Sequence, residues 1–439
     1  GYGFPVKGWG GKRIAMYQKD VLDNGARIVT HDMKERESLS IGVWIGVGGR
    51  YEDDQVKGAA HFLEHLAFKG SAHYSCEDIK GRIEGVGGSL NAFTAEEQTC
   101  YYAKIPARYM ESTLDILLDI ALEPLLKKKD VERERTVILE EIKMYKDLPQ
   151  YYVVDLLEGM MWPGHPLGKN LAGTPESVGQ MSHRDLKMFH HDYYVPTNVV
   201  VAACGKVQHK RFVAAVRKKI AAFHSGKKLS CLAADNSQRP AAVLSSPRPI
   251  EQMHLAMGMP GYHDDHADKY ILNMLHVILG GNMSSRLFNE VREKRGLAYS
   301  ISTSVKALSD TGMFMVRAGV DTQKLEQAVE VILKELEKIK RRGVSESEFQ
   351  RAKDYYKGQV LIGLEDTLDH MIWLGESVCA HDRIRTLEEI MGKINKIRME
   401  DVSRVAKDVL QAPRYNLSLV GPISDAQKGA LSRLVGCPG

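Results

Sequence analysis

The sequence predicts an α+β chain made of two similar halves, and three observations carry that prediction. Strand and helix patterns alternate irregularly, without the strict β-α-β succession of a doubly wound parallel sheet. An Asn-Gly turn between two apolar runs reads as an antiparallel hairpin near the start of the chain. A block of elements recurs about 211 residues later, as an internal duplication would give.

Composition sets the frame. The 439 residues are 44% hydrophobic and 26% charged, ordinary values for a globular chain with room for two cores. A formal net charge of +4 with interspersed signs gives neither a nucleic-acid footprint nor a membrane-binding face. No apolar run approaches the roughly 20 residues of a spanning helix, and the N-terminus lacks a signal-peptide core. The six cysteines are scattered, with no Cys-x-x-Cys pair; reduced thiols in a reducing compartment such as the cytoplasm are the simplest expectation. The basic runs Lys127-Lys128-Lys129 and Lys338 to Arg342 read as solvated helix ends where cations favour the dipole.

In order, Val21-Leu22, the Asp23-Asn24-Gly25 turn and Ala26 to Thr30 form the hairpin. A strand follows over Leu39 to Gly46, then an apolar helix around His61, then a helix over Ser75 to Val86 closed by Gly87-Gly88. Ser89 to Thr94 and Thr99 to Ile105 read as a strand pair, Met110 to Ala121 as an apolar helix and Lys129 to Asp147 as a charged one. The pattern recurs from Asp264-Asp265: a helix over Tyr270 to Leu279, strands at Ala298 to Val305 and Gly312 to Ala318, and helices at Leu325 to Arg341 and Ser345 to Leu361. The polar, turn-rich stretch between the copies divides the chain into a domain at 16–224, a linker at 225–245 and a homologous domain at 246–439.

One stretch stands out chemically. In Gly58 to Gly70, His61, Glu64 and His65 fall at i, i+3 and i+4, so two imidazoles and a carboxylate share one face of a helix otherwise rich in Ala, Leu and Phe. At the repeat offset the second half has Leu272, Leu275 and His276. The fold therefore asks for an apolar helix at this place, and the polar set is an addition. Two histidines leave a zinc ion short of the three protein ligands of a catalytic site. The helix ending at Asp147 offers further carboxylates; Glu134 and Glu141 lie seven residues apart on one face, and at the offset for this helix, near 218, their repeat positions are Ala352 and Gln359. Zinc lowers the pKa of a bound water to about 7, and Glu64, beside the metal, is suited to take the water's proton and pass it to a leaving amine. Peptide hydrolysis is the expected reaction.

These residues resemble the inverted-motif zinc peptidases of the pitrilysin and insulinase group. The resemblance runs from the Asn24-Gly25 hairpin to about Val420 and is nearest to the two-domain branch that includes the β subunit of mitochondrial processing peptidase and its bacterial relatives. It implies one zinc held by His61, His65 and Glu141, the last 76 residues after His65, with Glu134 supporting the site and Glu64 as general base. It implies that Asn91-Ala92-Phe93-Thr94 belongs to an edge strand on which substrate lies extended, with Asn91, Ala92 and Phe93 binding it. It assigns Arg292 and Tyr299 to gripping the substrate and polarising its carbonyl, with Arg295 as a competing arginine.

The resemblance further implies that the chain is half of a peptidase clamshell. A homodimer is expected, each site being completed in trans by the partner's Arg292 and Tyr299, with a peptide as substrate and no nucleic acid or membrane as partner. Compartment follows the bacterial relatives, the cytoplasm, with the mitochondrial matrix as the alternative. Of two acidic positions that favour arginine near the cleavage point in the mitochondrial enzyme, this chain has Tyr151 and Asp155, so broad peptide degradation or processing fits better than strict presequence cleavage. A non-catalytic core or assembly subunit of the same fold is the alternative function.

Overall fold

A computed structural model describes residues 17–437 except 222, 224, 225, 227–229, 238 and 239. The predicted domain start at residue 16 and parts of the linker lie outside the described residues. The first half runs β1 (Tyr17–Val21), β2 (Arg27–Asp32), β3 (Ser38–Ile45), α1 (Ala59–Ala67), α2 (Cys76–Glu84), β4 (Ser89–Thr94), β5 (Thr99–Pro106), α3 (Met110–Leu122), α4 (Lys128–Asp147), α5 (Pro149–Met161), α6 (Pro175–Gln180), α7 (His183–Tyr193), β6 (Val199–Gly205) and α8 (His209–Ile220). The second runs β7 (Ala242–Pro247), β8 (Gln252–Pro260), α9 (Lys269–Leu279), β9 (Ala298–Ala307), β10 (Gly312–Asp321), α10 (Leu325–Arg342), α11 (Glu346–Gly363), α12 (Thr367–His381), α13 (Leu387–Lys396), α14 (Met399–Val409), β11 (Asn416–Gly421) and α15 (Asp425–Val435).

The duplication is explicit in the sheets. The first has the order β1-β2-β6-β3-β5-β4 and the second β7-β11-β8-β10-β9. Without β1 the two orders match strand for strand, including one parallel pair in each, β2 with β6 and β7 with β11. The hairpin forms as read, with Gly25 at φ +90° in its turn. β4 and β9 are the corresponding edge strands, each paired on one side only.

The sequence did not reveal that the halves exchange a helix. α5 of the first half packs on β8 and β11 of the second sheet, and α12 of the second half packs on β3 and β6 of the first. Each sheet is thus covered on both faces, which accounts for the unbroken apolar run of β6: Val199, Val201 and Ala203 face their own half's helices, while Val200, Ala202 and Cys204 join Met371, Leu374 and Val378 of α12. Fully burying each of those three α12 side chains contributes about 1.5–3 kcal/mol. Close approach requires glycine at both crossings: a Cβ on Gly375 would stand 2.0 Å from the Trp44 indole nitrogen, and one on Gly258 2.9 Å from Leu157.

Two expectations are corrected. The second sheet begins at Ala242, inside the stretch predicted as linker to residue 245, because Ala242 to Pro247 pairs in register with Asn416 to Gly421. Lys127 to Lys129 stand at the N-terminal end of α4, exposed at the positive end of its dipole; only the run ending at Arg342 lies at a helix C-terminus. Among the described residues no cysteine is joined in a disulfide. Among the described residues no helix is long and apolar enough to cross a membrane.

Candidate functional site

α1 is anchored before it presents any chemistry. Gly58 starts it at φ +97°, where a Cβ would meet the Ala172 carbonyl oxygen at 2.6 Å. The Glu52 carboxylate accepts from the Gly58 and Ala60 backbone N–H groups at 2.9 and 2.8 Å, at the end where a negative charge favours the dipole. Lys57, 3.2 Å from Glu52, neutralises that buried charge. Ala59, Ala60, Phe62, Leu63, Leu66 and Ala67 are buried, so His61, Glu64 and His65 point the other way, towards α4 and β4.

There they meet a carboxylate from α4. The Nε2 atoms of His61 and His65 lie 3.8 and 3.4 Å from the two oxygens of Glu141, and one ligand atom from each of the three residues lies within 4.8 Å of the others. Tetrahedral coordination at zinc-ligand distances near 2 Å sets donor atoms about 3.3 Å apart, and the two histidine–Glu141 distances of 3.8 and 3.4 Å lie close to that spacing. Glu134 is buried one turn-pair earlier on α4; its Oε2 lies 3.3 Å from His65 Nδ1 and its Oε1 2.7 Å from Lys69 Nζ. This bond leaves His65 Nε2 facing the site. His61 Nδ1 is buried without a hydrogen-bond partner among the described residues.

The electrostatics divide the two imidazoles. Burial, helped by neighbouring His65 and opposed by Glu141, pushes His61 down to about 4, so its nitrogen lone pair is available at neutral pH. Burial lowers His65, but hydrogen bonds to Glu141 and Glu134 and the charges of Glu141 and Glu64 outweigh it and hold the ring above its ordinary value. The His65 hydrogen bond holds Glu141 below the usual carboxylate range against burial. Glu64 goes the other way: burial and the Glu141 charge raise it, against its Thr94 hydrogen bond and His65. A carboxyl so placed beside the three converging side chains is within reach of a proton to accept or donate.

The remaining predicted residues divide into three groups. Asn91, Ala92 and Phe93 lie on the edge strand β4, with Ala92 turned to the core and Phe93 edge-on to Trp44 at 5.4 Å. Arg292 and Tyr299 are neighbours in the second half, the guanidinium carbon lying 4.8 Å from the Phe288 ring centroid and 5.9 Å from that of Tyr299, which is 76% exposed. Arg295 is committed to Glu290 at 2.6 Å. Among the described residues no hydrogen bond, ion pair or ring contact joins Arg292 or Tyr299 to His61, Glu64, His65 or Glu141. Asp155, on α5, accepts a 2.7 Å hydrogen bond from Asn170 and is raised by burial; its carboxylate serves an internal contact.

Two residues at the site escaped the sequence reading: Glu52, which lies before the helix, and Lys69, four residues after His65. The sequence places Thr94 at the end of the edge strand but does not reveal its hydrogen bond, in which the hydroxyl donates to Glu64 Oε2 at 2.6 Å; two residues beyond Ala92, it shares the face turned to α1.

The chain is similar to known proteins over most of its length. Residues 27–175 match the family model described as insulinase (peptidase family M16), and residues 180–356 match the one described as the peptidase M16 inactive domain. An uncharacterized zinc protease of Bacillus subtilis is 34% identical over 407 residues, covering 93% of this chain and 98% of its own length. One from Streptomyces coelicolor is 36% identical over 431 residues (95% and 92%), and one from Mycobacterium tuberculosis 37% over 420 (92% and 93%). The crystal structure of a Helicobacter pylori protease superposes with a TM-score of 0.86 at 22% identity, covering 92% of this chain and 99% of that one. A peptidase M16 inactive domain protein from Pseudomonas fluorescens gives 0.86 at 20% identity (93% and 98%). At these identities the two structures establish the fold.

Proposed function

The chain belongs to the insulinase family of peptidases, M16, and from that premise we propose that it is a zinc-dependent endopeptidase acting on unstructured peptides or precursor segments. The convergence of His61, His65 and Glu141 on one point, with Glu64 beside them and no such set among the described residues of the duplicate half, carries this reading. The zinc-protease names of the relatives supply the metal. His61, His65 and Glu141 hold the ion, and Glu134 fixes the ring of His65. Zinc bound there supplies Lewis-acid polarisation of water and of the scissile carbonyl. Glu64 takes the proton of the attacking water and returns it to the departing amine.

β4 presents an unpaired backbone edge next to α1, on which an extended peptide adds as a further strand through Asn91, Ala92 and Phe93. Main-chain pairing is indifferent to side chains, which suits a broad substrate range. Arg292 and Tyr299 are a guanidinium and a phenol exposed together on the other half, fit to donate to a developing oxyanion. In the proposed arrangement they serve the site of a partner copy in a homodimer.

Mixing tests both parts. A Glu64→Gln chain and a Tyr299→Phe chain, each inactive alone, should regain one site per mixed dimer, about a quarter of wild-type activity at equal mixing. Mixtures that stay inactive overturn completion in trans. A wild-type chain that binds no zinc and cleaves nothing in a peptide library overturns the peptidase reading in favour of a non-catalytic assembly subunit.

A further inference from the structure

A threonine ties the edge strand to the inner helix in each half, at different places: at the offset of 211 Thr303 matches Ala92, and Thr94 matches Val305. In the second half, Thr303 of β9 donates to the His276 carbonyl oxygen of α9 at 3.1 Å and sits 2.7 Å from His276 Nδ1, a strut between strand and helix in a half without the metal residues. In the first half the strut runs from Thr94, the last residue of β4, to the side chain of Glu64 on α1, at 2.6 Å. Both members are half-buried.

We propose that Thr94 is a positioning residue for the general base. A threonine hydroxyl has one proton to give, and giving it to Oε2 leaves Oε1 as the oxygen that receives the proton of the attacking water. The hydrogen bond fixes the last torsion of a glutamate that otherwise rotates freely among broad minima. Because Thr94 belongs to the strand on which the peptide is proposed to pair, one element sets both the register of the substrate and the aim of the base.

The turn that follows Thr94 is fastened to the rest of the chain. Arg50 N–H donates to the Glu96 carbonyl at 2.8 Å. The Glu97 carboxylate accepts from the Arg50 guanidinium and the Ser309 hydroxyl, both at 2.6 Å, and Arg50 continues to Asp310 at 2.6 Å. Glu96 pairs with Lys306, which also holds Glu158 at 2.5 Å. Ser309, Asp310 and Lys306 belong to the β9–β10 hairpin region of the second half. The half without the metal residues therefore braces the strand that orients the base.

This inference rests on the peptidase reading, and its test separates the two. Wild type, Thr94→Val and Thr94→Ser, each with its zinc content verified, are crystallised and assayed on one unstructured peptide. Thr94→Val is expected to release Glu64 from the position 2.6 Å from residue 94 and to lower kcat about 10- to 100-fold with KM within about twofold. Thr94→Ser should restore both. Glu64 unmoved in the Thr94→Val crystals overturns the inference, as does an undiminished kcat, or a loss that serine does not rescue. An inactive wild type overturns the peptidase reading, while the position of Glu64 in the crystals still decides the role of Thr94.

Discussion

Helices α1 and α9 occupy equivalent places in two copies of one fold and have opposite interiors. α9 sets Leu272 and Leu275, both fully buried, where α1 has His61 and Glu64, and α11 sets Ala352 and Gln359 where α4 has Glu134 and Glu141. Even the retained histidine changes role: His276 is lowered by burial and tied to Thr303, whereas His65 faces two carboxylates. Two leucines buried at these places are worth about 4 kcal/mol, a stabilisation the first half forgoes. What it gains is a donor set whose metal affinity becomes folding free energy when the ion is held. The duplication thus separates what the architecture needs, an apolar helix between sheet and outer helix, from what the chemistry needs.

The comparison breaks most visibly if the chemistry is transplanted. Leu272→His with Leu275→Glu places an imidazole and a carboxylate opposite Ala352 and Gln359, without a third ligand. Urea unfolding should show a loss of more than about 4 kcal/mol and no additional zinc; a stable variant with a second zinc would mean that the halves differ less than their interiors suggest. Within the first half, Glu134→Gln should weaken zinc binding about 10- to 100-fold in competition with a chelator. Glu132→Gln, on the same helix but with a 69% exposed side chain, should leave it unchanged.

A smaller effect is expected at the matching acidic turns that precede α1 and α9. Burial opposes ionisation of Asp264, but Lys269, His381 and Arg385 outweigh it and hold the carboxyl at about 2. Its unfolded value is near 3.9, so its contribution is complete above that pH and is lost as pH falls from about 4 to 2. Asp264→Asn should therefore cost about 1–2 kcal/mol at pH 6, the difference from wild type closing below pH 3. Asp54→Asn in the first half, where the side chain is 82% exposed, should stay within about 0.5 kcal/mol. Equal costs at the two turns would show that the ties of Asp264 to α12 matter less than their geometry implies.

Local pattern carried much of this structure into the sequence. The hairpin at Asn24-Gly25, the helical spacing of His61, Glu64 and His65, and the two-turn spacing of Glu134 and Glu141 are short-range regularities, and the repeat offset compared the halves without an alignment. What stayed hidden is long-range. Amphipathicity tells that α5 and α12 bury a face, but not that each buries it on the other half's sheet. Glycines 258 and 375 answer to side chains more than 100 and more than 300 residues away. The cap of α1 by Glu52 and the bond from Thr94 to Glu64 join residues whose nearness only the fold creates. Asp155, which the resemblance singles out, accepts a hydrogen bond from Asn170, a pairing that likewise depends on the fold.

The most direct test is the Glu64→Gln substitution, with zinc content and hydrolysis of an unstructured peptide measured on the same preparations. The account predicts about one zinc per chain in both proteins and turnover lowered by roughly 10²–10⁴-fold in the variant. Wild type without zinc, or a variant that turns over at the wild-type rate, would contradict it.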